Sequence, residues 1–171
     1  GQSCELVALY ASSLELENAH EVYADFLCTL DPDTSLEDRR HALVQVKPHG
    51  MDPAIVARKT VDLLFAELVP AIVDEAEIRE WNAHLSVDER RLILSIDWLT
   101  FFDATYADAI VQANTIMRVF LTTGRLHAAH SLLHRLPTEL LMVLSEIAVS
   151  EDQLVELDHW RIYFDVLNKS V

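Results

Sequence analysis

The sequence predicts an all-α protein, an irregular stack of antiparallel helices, and three observations carry that reading. Only three glycines and five prolines punctuate 171 residues. No stretch sustains the apolar–polar alternation of a strand, and several segments open on residues that cap helices. With 51% hydrophobic residues the chain can bury a real core, and its length fits one α-helical domain over 1–171. Gly1 stands where an initiator Met would be, and Asn168 to Val171 follow directly on an apolar run. The expectation is a fragment of a larger protein.

Helices near 4–12 and 16–30 come first. Ser35 is placed to cap a helix over 36–48, with Gly50 past its end, and Asp52 before Pro53 puts an acceptor and then a proline at the start of 53–73. The path of 70–86 is fixed by no such signal. Ser86-Val87-Asp88-Glu89 then has the form of a capping box and opens a helix over 87–102. Within it, Leu-Ile-Leu-Ser-Ile-Asp-Trp-Leu-Thr-Phe-Phe leaves almost no polar face, so this segment, with Trp98, should sit at the centre of the core. Thr105 should cap a helix over 106–122 whose stripe is Tyr106, Ile110, Ala113, Met117 and Phe120, ending before Gly124. Helices over 125–136, 137–149 from Pro137, and 151–168 complete about nine. Short connections favour antiparallel neighbours. No fixed-period repeat exists, which excludes tetratricopeptide and ankyrin arrays.

A net charge of −15 repels nucleic-acid backbones and anionic lipid surfaces, so neither is an expected partner. Residues 109–138 lack Asp and Glu but carry Arg118, Arg125 and Arg135, while 139–171 is acidic. One helix pair should therefore complement the next. Cys4 and Cys28 form no C-x-x-C pair, which points to reduced thiols in a cytosolic or nuclear setting. No apolar stretch has the length of a membrane span, and no signal sequence opens the chain.

Catalytic motifs are scarce. The three glycines form neither a dinucleotide fingerprint nor a P-loop, and no G-x-S-x-G elbow exists. His127, His130 and His134 share a helix face on which zinc could be held, and a helical metal-dependent hydrolase would use them. The adjoining stripe Leu126, Ala129, Leu133 and Leu136 reads as the buried one, however, leaving the histidines on its shoulder. His20-Glu21 is followed by no second histidine at the metalloprotease spacing. Asp31, Asp33 and Ser35 resemble the start of a calcium loop, but Leu36 and Ala42 stand where glycine and a bidentate Glu belong. They read as a capped turn. Asp74, Glu75 and Glu77 read as a solvated helix face. No catalytic, cofactor-binding or metal-binding residue is assigned.

In the last helix, Leu154, Leu157, Trp160, Phe164 and Leu167 can face the preceding helices, which leaves Ile162, Tyr163 and Val166 on a second side. Trp160, Ile162, Tyr163 and Val166 are the candidate partner-binding residues, since exposed apolar patches mark interfaces and Trp and Tyr often dominate them.

Several segments resemble a known family: Asp97-Trp98-Leu99-x-Phe101, Ala113-Asn114-x-Ile116-Met117-Arg118-x-Phe120-Leu121, Ala128-Ala129 and Leu136-Pro137. Upstream, Leu9-Tyr10, Tyr23-Ala24-x-Phe26-Leu27 and Gly50-Met51-Asp52-x-x-Ile55 agree. Together they resemble the carboxy-terminal part of the 107-kilodalton/84-kilodalton nucleoporin family. Pro48, and a segment 74–86 that can be longer in relatives, depart from the pattern. The resemblance implies an α-solenoid-like, coat-type scaffold tail module in the Y-shaped subcomplex of the nuclear pore, at the nuclear envelope. It also implies a role in mRNA export and protein import through binding to other nucleoporins. The tail of the family protein is expected to meet the carboxy-terminal domain of the 133-kilodalton nucleoporin, and the opposite end other members of the Y complex. A vesicle-coat-type trafficking scaffold would share this helical build.

Overall fold

The computed structural model describes residues 2–75 and 84–170. Among them the chain forms nine α-helices, short 3-10 turns and no strand. The helices are α1 (Gln2–Ser12), α2 (Leu16–Cys28), α3 (Leu36–Val44), α4 (Pro53–Asp74), α5 (Val87–Ser95), α6 (Tyr106–Thr122), α7 (Leu126–Arg135), α8 (Thr138–Met142) and α9 (Glu151–Lys169). None of these is long and apolar enough to cross a membrane.

Where capping is local, the structure agrees with expectation. The Ser35 hydroxyl accepts from the Asp38 amide, and the Asp52 carboxylate accepts from the Ala54 amide. Ser86 and Glu89 exchange the reciprocal bonds of a capping box. Each satisfies amides that a first helical turn leaves unpaired. Gly124, at φ +73°, ends α6: its amide donates to Leu121 and that of Arg125 to Phe120, a Schellman closure.

Elsewhere the expected boundaries move. The helix expected over 36–48 ends at Val44, because Pro48 offers no amide to a continuing helix and the chain tightens into the 3-10 turn Lys47–His49. The helix expected over 87–102 ends at Ser95 and continues as the 3-10 turn Ile96–Leu99. There the Leu99 carbonyl accepts from the Thr105 hydroxyl, at 2.8 Å, in place of a helical amide. Thr105 therefore does not cap α6 through its side chain as expected. Pro137 is the residue before α8 and not its first, and the helix expected to reach 149 stops at Met142. Extended backbone at Ile147 then brings Ile147 and Val149 onto the core.

The long α4 runs through the middle of the molecule. It buries Val56, Ala57, Val61, Leu64, Leu68 and Ile72 against α2, α5 and the Ile96–Leu99 turn, while α6 packs on α7 and α9. Trp98 is 3% exposed and belongs to this core, in contact with Phe101 edge to face.

Candidate docking interface

Helix α9 begins where the Ser150 hydroxyl accepts from the Gln153 amide. It is fixed to the rest of the molecule along one side. Leu157 and Phe164 are buried, and Leu154, Trp160 and Leu167 are half-buried against the core. Polar contacts repeat the attachment along its length. The Asn114 amide of α6 donates to the Gln153 carbonyl and side chain at 2.9 and 2.8 Å. Arg118 makes two bonds of 2.7 Å to the Glu156 carboxylate. Near the end, the Asn168 amide and the His130 ring of α7 meet at 2.8 Å, and Phe164 lies against that ring. Hydrogen bonding to Arg118, together with its charge, holds Glu156 below its ordinary pKa against the opposing effect of burial.

A helix anchored this way presents its other side to solvent in a fixed position. That side carries Ile162, Tyr163 and Val166, respectively 54%, 47% and 58% exposed, with Val155 two turns earlier. Tyr163 rests edge-on against the buried Phe164 ring, at 5.1 Å between centroids. Trp160, grouped with these three as a candidate, lies on the packed side instead. A residue at 160 shares a face with 157 and 164, so the same spacing that buries them turns its indole inward.

Of the histidine trio, His130 takes part in the attachment of α9. The buried stripe of α7 is Ala128, Ala129 and Leu132, with Leu136 beyond its end. That is rotated from the expected Leu126, Ala129, Leu133 and Leu136, whose Leu126 and Leu133 are only half-buried. His130 and His134 Nε2 atoms lie 2.9 Å apart as a hydrogen bond, and burial, then His134 and His127, lower the His130 pKa. Among the described residues no three His, Cys, Asp or Glu side chains are grouped to hold a metal ion. Asp31 accepts from the Asp33 amide at 2.8 Å, and Asp33 pairs with Arg90, so that loop is a closed turn. Asp74 and Glu75 are exposed. Glu77, like most of 74–86, lies outside the described residues. Cys4 and Cys28 are free thiols, and burial pushes that of Cys28 up to about 11, above the range of a reactive thiolate.

The arginines do not all complement the acidic terminal segment as expected. Arg118 does, but Arg125 and Arg135 turn to the other side of the stack. Arg125, buried, pairs with Glu89 and donates to the carbonyls of Ile72 and Glu75 at 2.8 Å, closing the end of α4. Glu89 is thereby both the capping-box carboxylate and a buried ion-pair partner. Arg135 makes bonds of 2.9 and 2.7 Å to Asp97, which also accepts from Arg39 at 2.6 Å. The sequence signal for this site was a single carboxylate within the apolar stretch 92–102.

The family model described as nuclear pore protein 84 / 107 matches residues 1–170. The chain is similar to nucleoporin nup107 of Schizosaccharomyces pombe, 27% identical over 144 residues that cover 82% of this chain and 17% of that protein. It is likewise similar to the nuclear pore complex protein Nup107 of Homo sapiens, 29% identical over 143 residues covering 78% of this chain and 14% of that protein. The Mus musculus protein of the same name is 29% identical over 140 residues, covering 78% of this chain and 14% of that protein. The chain thus spans only a small part of the length of these relatives.

Proposed function

Because the chain belongs to the nuclear pore protein 84 / 107 family, we propose that it is a structural scaffold segment of the outer-ring Y complex of the nuclear pore. In this reading it is one domain of a larger protein, and it supports mRNA export and protein import by binding neighbouring nucleoporins, not by catalysis. The observation that carries the proposal is the α9 surface: a helix anchored by Leu157, Phe164, Asn114 and Arg118 that leaves Ile162, Tyr163 and Val166 exposed. Such a preformed apolar face loses little conformational entropy on binding. The partner we assign to it is the carboxy-terminal domain of the 133-kilodalton nucleoporin.

Tyr163→Ala in the full-length protein tests this. An interfacial Tyr at the centre of a patch contributes about 2 kcal/mol or more to binding, so affinity for the 133-kilodalton nucleoporin should fall by more than tenfold with the melting temperature nearly unchanged. A lowered melting temperature with intact binding would show that another part of the same protein covers this face.

A further inference from the structure

A second apolar face lies at the other end of the chain, and its chemistry differs from that of α9. Helix α1 packs inward through small side chains, Cys4, Ala8 and Ala11, and turns its large ones outward. Leu6, Leu9 and Tyr10 are 66%, 60% and 63% exposed, and Leu16, at the start of α2, is 58% exposed. Residues 6, 9 and 10 stand at i, i+3 and i+4, so they form one continuous ridge along the helix. Beside it, Leu6 and Leu9, with Glu5, line a groove of about 530 Å³ together with Gln45, Pro48 and His49. The departure from helix at Pro48 is what places the turn there.

On the α1 and α2 side of this face the charge has one sign. No Lys or Arg precedes Arg39, whereas Glu5, Glu15, Glu17 and Glu21 are all exposed on α1, α2 and the turn between them. Lys47, next to Pro48, holds its ammonium over the Phe102 ring at 5.6 Å. We propose that the α1 face is a docking site for an amphipathic α-helix whose apolar stripe is flanked by Lys or Arg. The α1 ridge and the Pro48 turn form the two walls of a groove of the kind that receives a helix. The backbone of α1 is fully used in its own helix, so an added strand has nothing to pair with. Glu5 in the groove and the acidic surface of α1 and α2 steer a basic partner and disfavour an acidic one, which sets the specificity. The proposal rests on α1, the acidic side of α2 and the Pro48 turn, and is independent of the reading of α9.

A synthetic amphipathic peptide of leucine and lysine, and its leucine–glutamate counterpart, are titrated against the chain by fluorescence anisotropy. The expected result is binding of the lysine peptide only, weakening as salt is added. Leu6→Asp with Leu9→Asp should reduce its affinity by about tenfold or more, and Tyr163→Ala should not change it. The added aspartates would by charge alone strengthen the attraction, so a loss isolates the apolar ridge. Because these side chains are exposed, the melting temperature should stay constant; if it drops, Leu9→Gln with Tyr10→Gln replaces them. Binding unaffected by either pair, equal binding of the glutamate peptide, or self-association of the free chain removed by the same substitutions would overturn the proposal.

Discussion

Asp97 shows how one side chain joins three elements. It is 2% exposed and receives Arg39 of α3 at 2.6 Å and Arg135 of α7 through two bonds, from a turn that also carries Trp98. Arg39 is itself 5% exposed, donates to the Leu94 carbonyl and lies over the Trp98 ring at 5.8 Å. Replacing Asp97 with Asn keeps the volume but leaves a buried guanidinium without its counter-charge. The expected cost is about 3–5 kcal/mol, read from the midpoint of urea denaturation; a loss below about 1 kcal/mol would show that water reaches Arg39 in the folded protein. Trp98→Ala should cost a similar amount, about 3–5 kcal/mol, for a different reason, the cavity and the lost transfer energy. A compensating Arg39→Met should restore part of the loss in Asp97→Asn and none of that in Trp98→Ala. The sequence marks Asp97 as unusual, a carboxylate in an apolar run, but not its partner, since Arg39 is 58 positions away and the pairing exists only once α3 and α7 are in place.

At the scale of the helix, the anchoring of α9 separates into contributions of very different size. Arg118 and Glu156 are 51% and 24% exposed, and such a pair is worth about 0–1 kcal/mol after screening. Phe164, 2% exposed between the His130 ring and Tyr163, is worth about 3–5 kcal/mol. Arg118→Ala should therefore barely move the denaturation midpoint, whereas Phe164→Ala should lower it and speed amide hydrogen exchange in α9 ahead of α4. Equal effects of the two would mean that charge, not packing, holds the helix. The attached and free sides of α9 were legible in the sequence, because Leu157, Phe164 and their neighbours recur at helical spacing while Ile162, Tyr163 and Val166 fall between them. Helix starts were legible for the same local reason, through Ser35, Asp52-Pro53 and Ser86. The ends of α3, α5 and α8 were not, nor was the α1 face, where size misleads. Leu6, Leu9 and Tyr10 have the side chains of a core, yet Cys4, Ala8 and Ala11 are the ones that α2 and the Lys47–His49 turn can approach closely.

Over the whole molecule, two histidines tie its separate ends to pH. His20 of α2 is 4% exposed and its Nε2 accepts from the Asp52 amide at 3.1 Å, which joins α2 to the start of α4. Burial, then the Lys59 charge, lowers its pKa below the ordinary 6.5, against a smaller opposing effect of Asp52. His130, between α7 and α9, is lowered for the reasons of burial and neighbouring imidazoles. A histidine with a lowered folded pKa binds more protons unfolded than folded in the interval between the two values, so stability rises with pH there. The contribution is complete above about 6.5 and is lost as pH falls through the folded values. Glu156, also lowered, acts in a separate and more acid window, below its ordinary 4.5. The urea midpoint should accordingly fall between pH 7.5 and 5.5, before the carboxylates titrate. His20→Gln can still accept from the Asp52 amide through its side-chain carbonyl and cannot be protonated. In the double variant with His130→Gln the midpoint should become flat over this interval, while the decline below pH 4.5 persists. A slope unchanged in the double variant would place the responsible groups elsewhere in the chain.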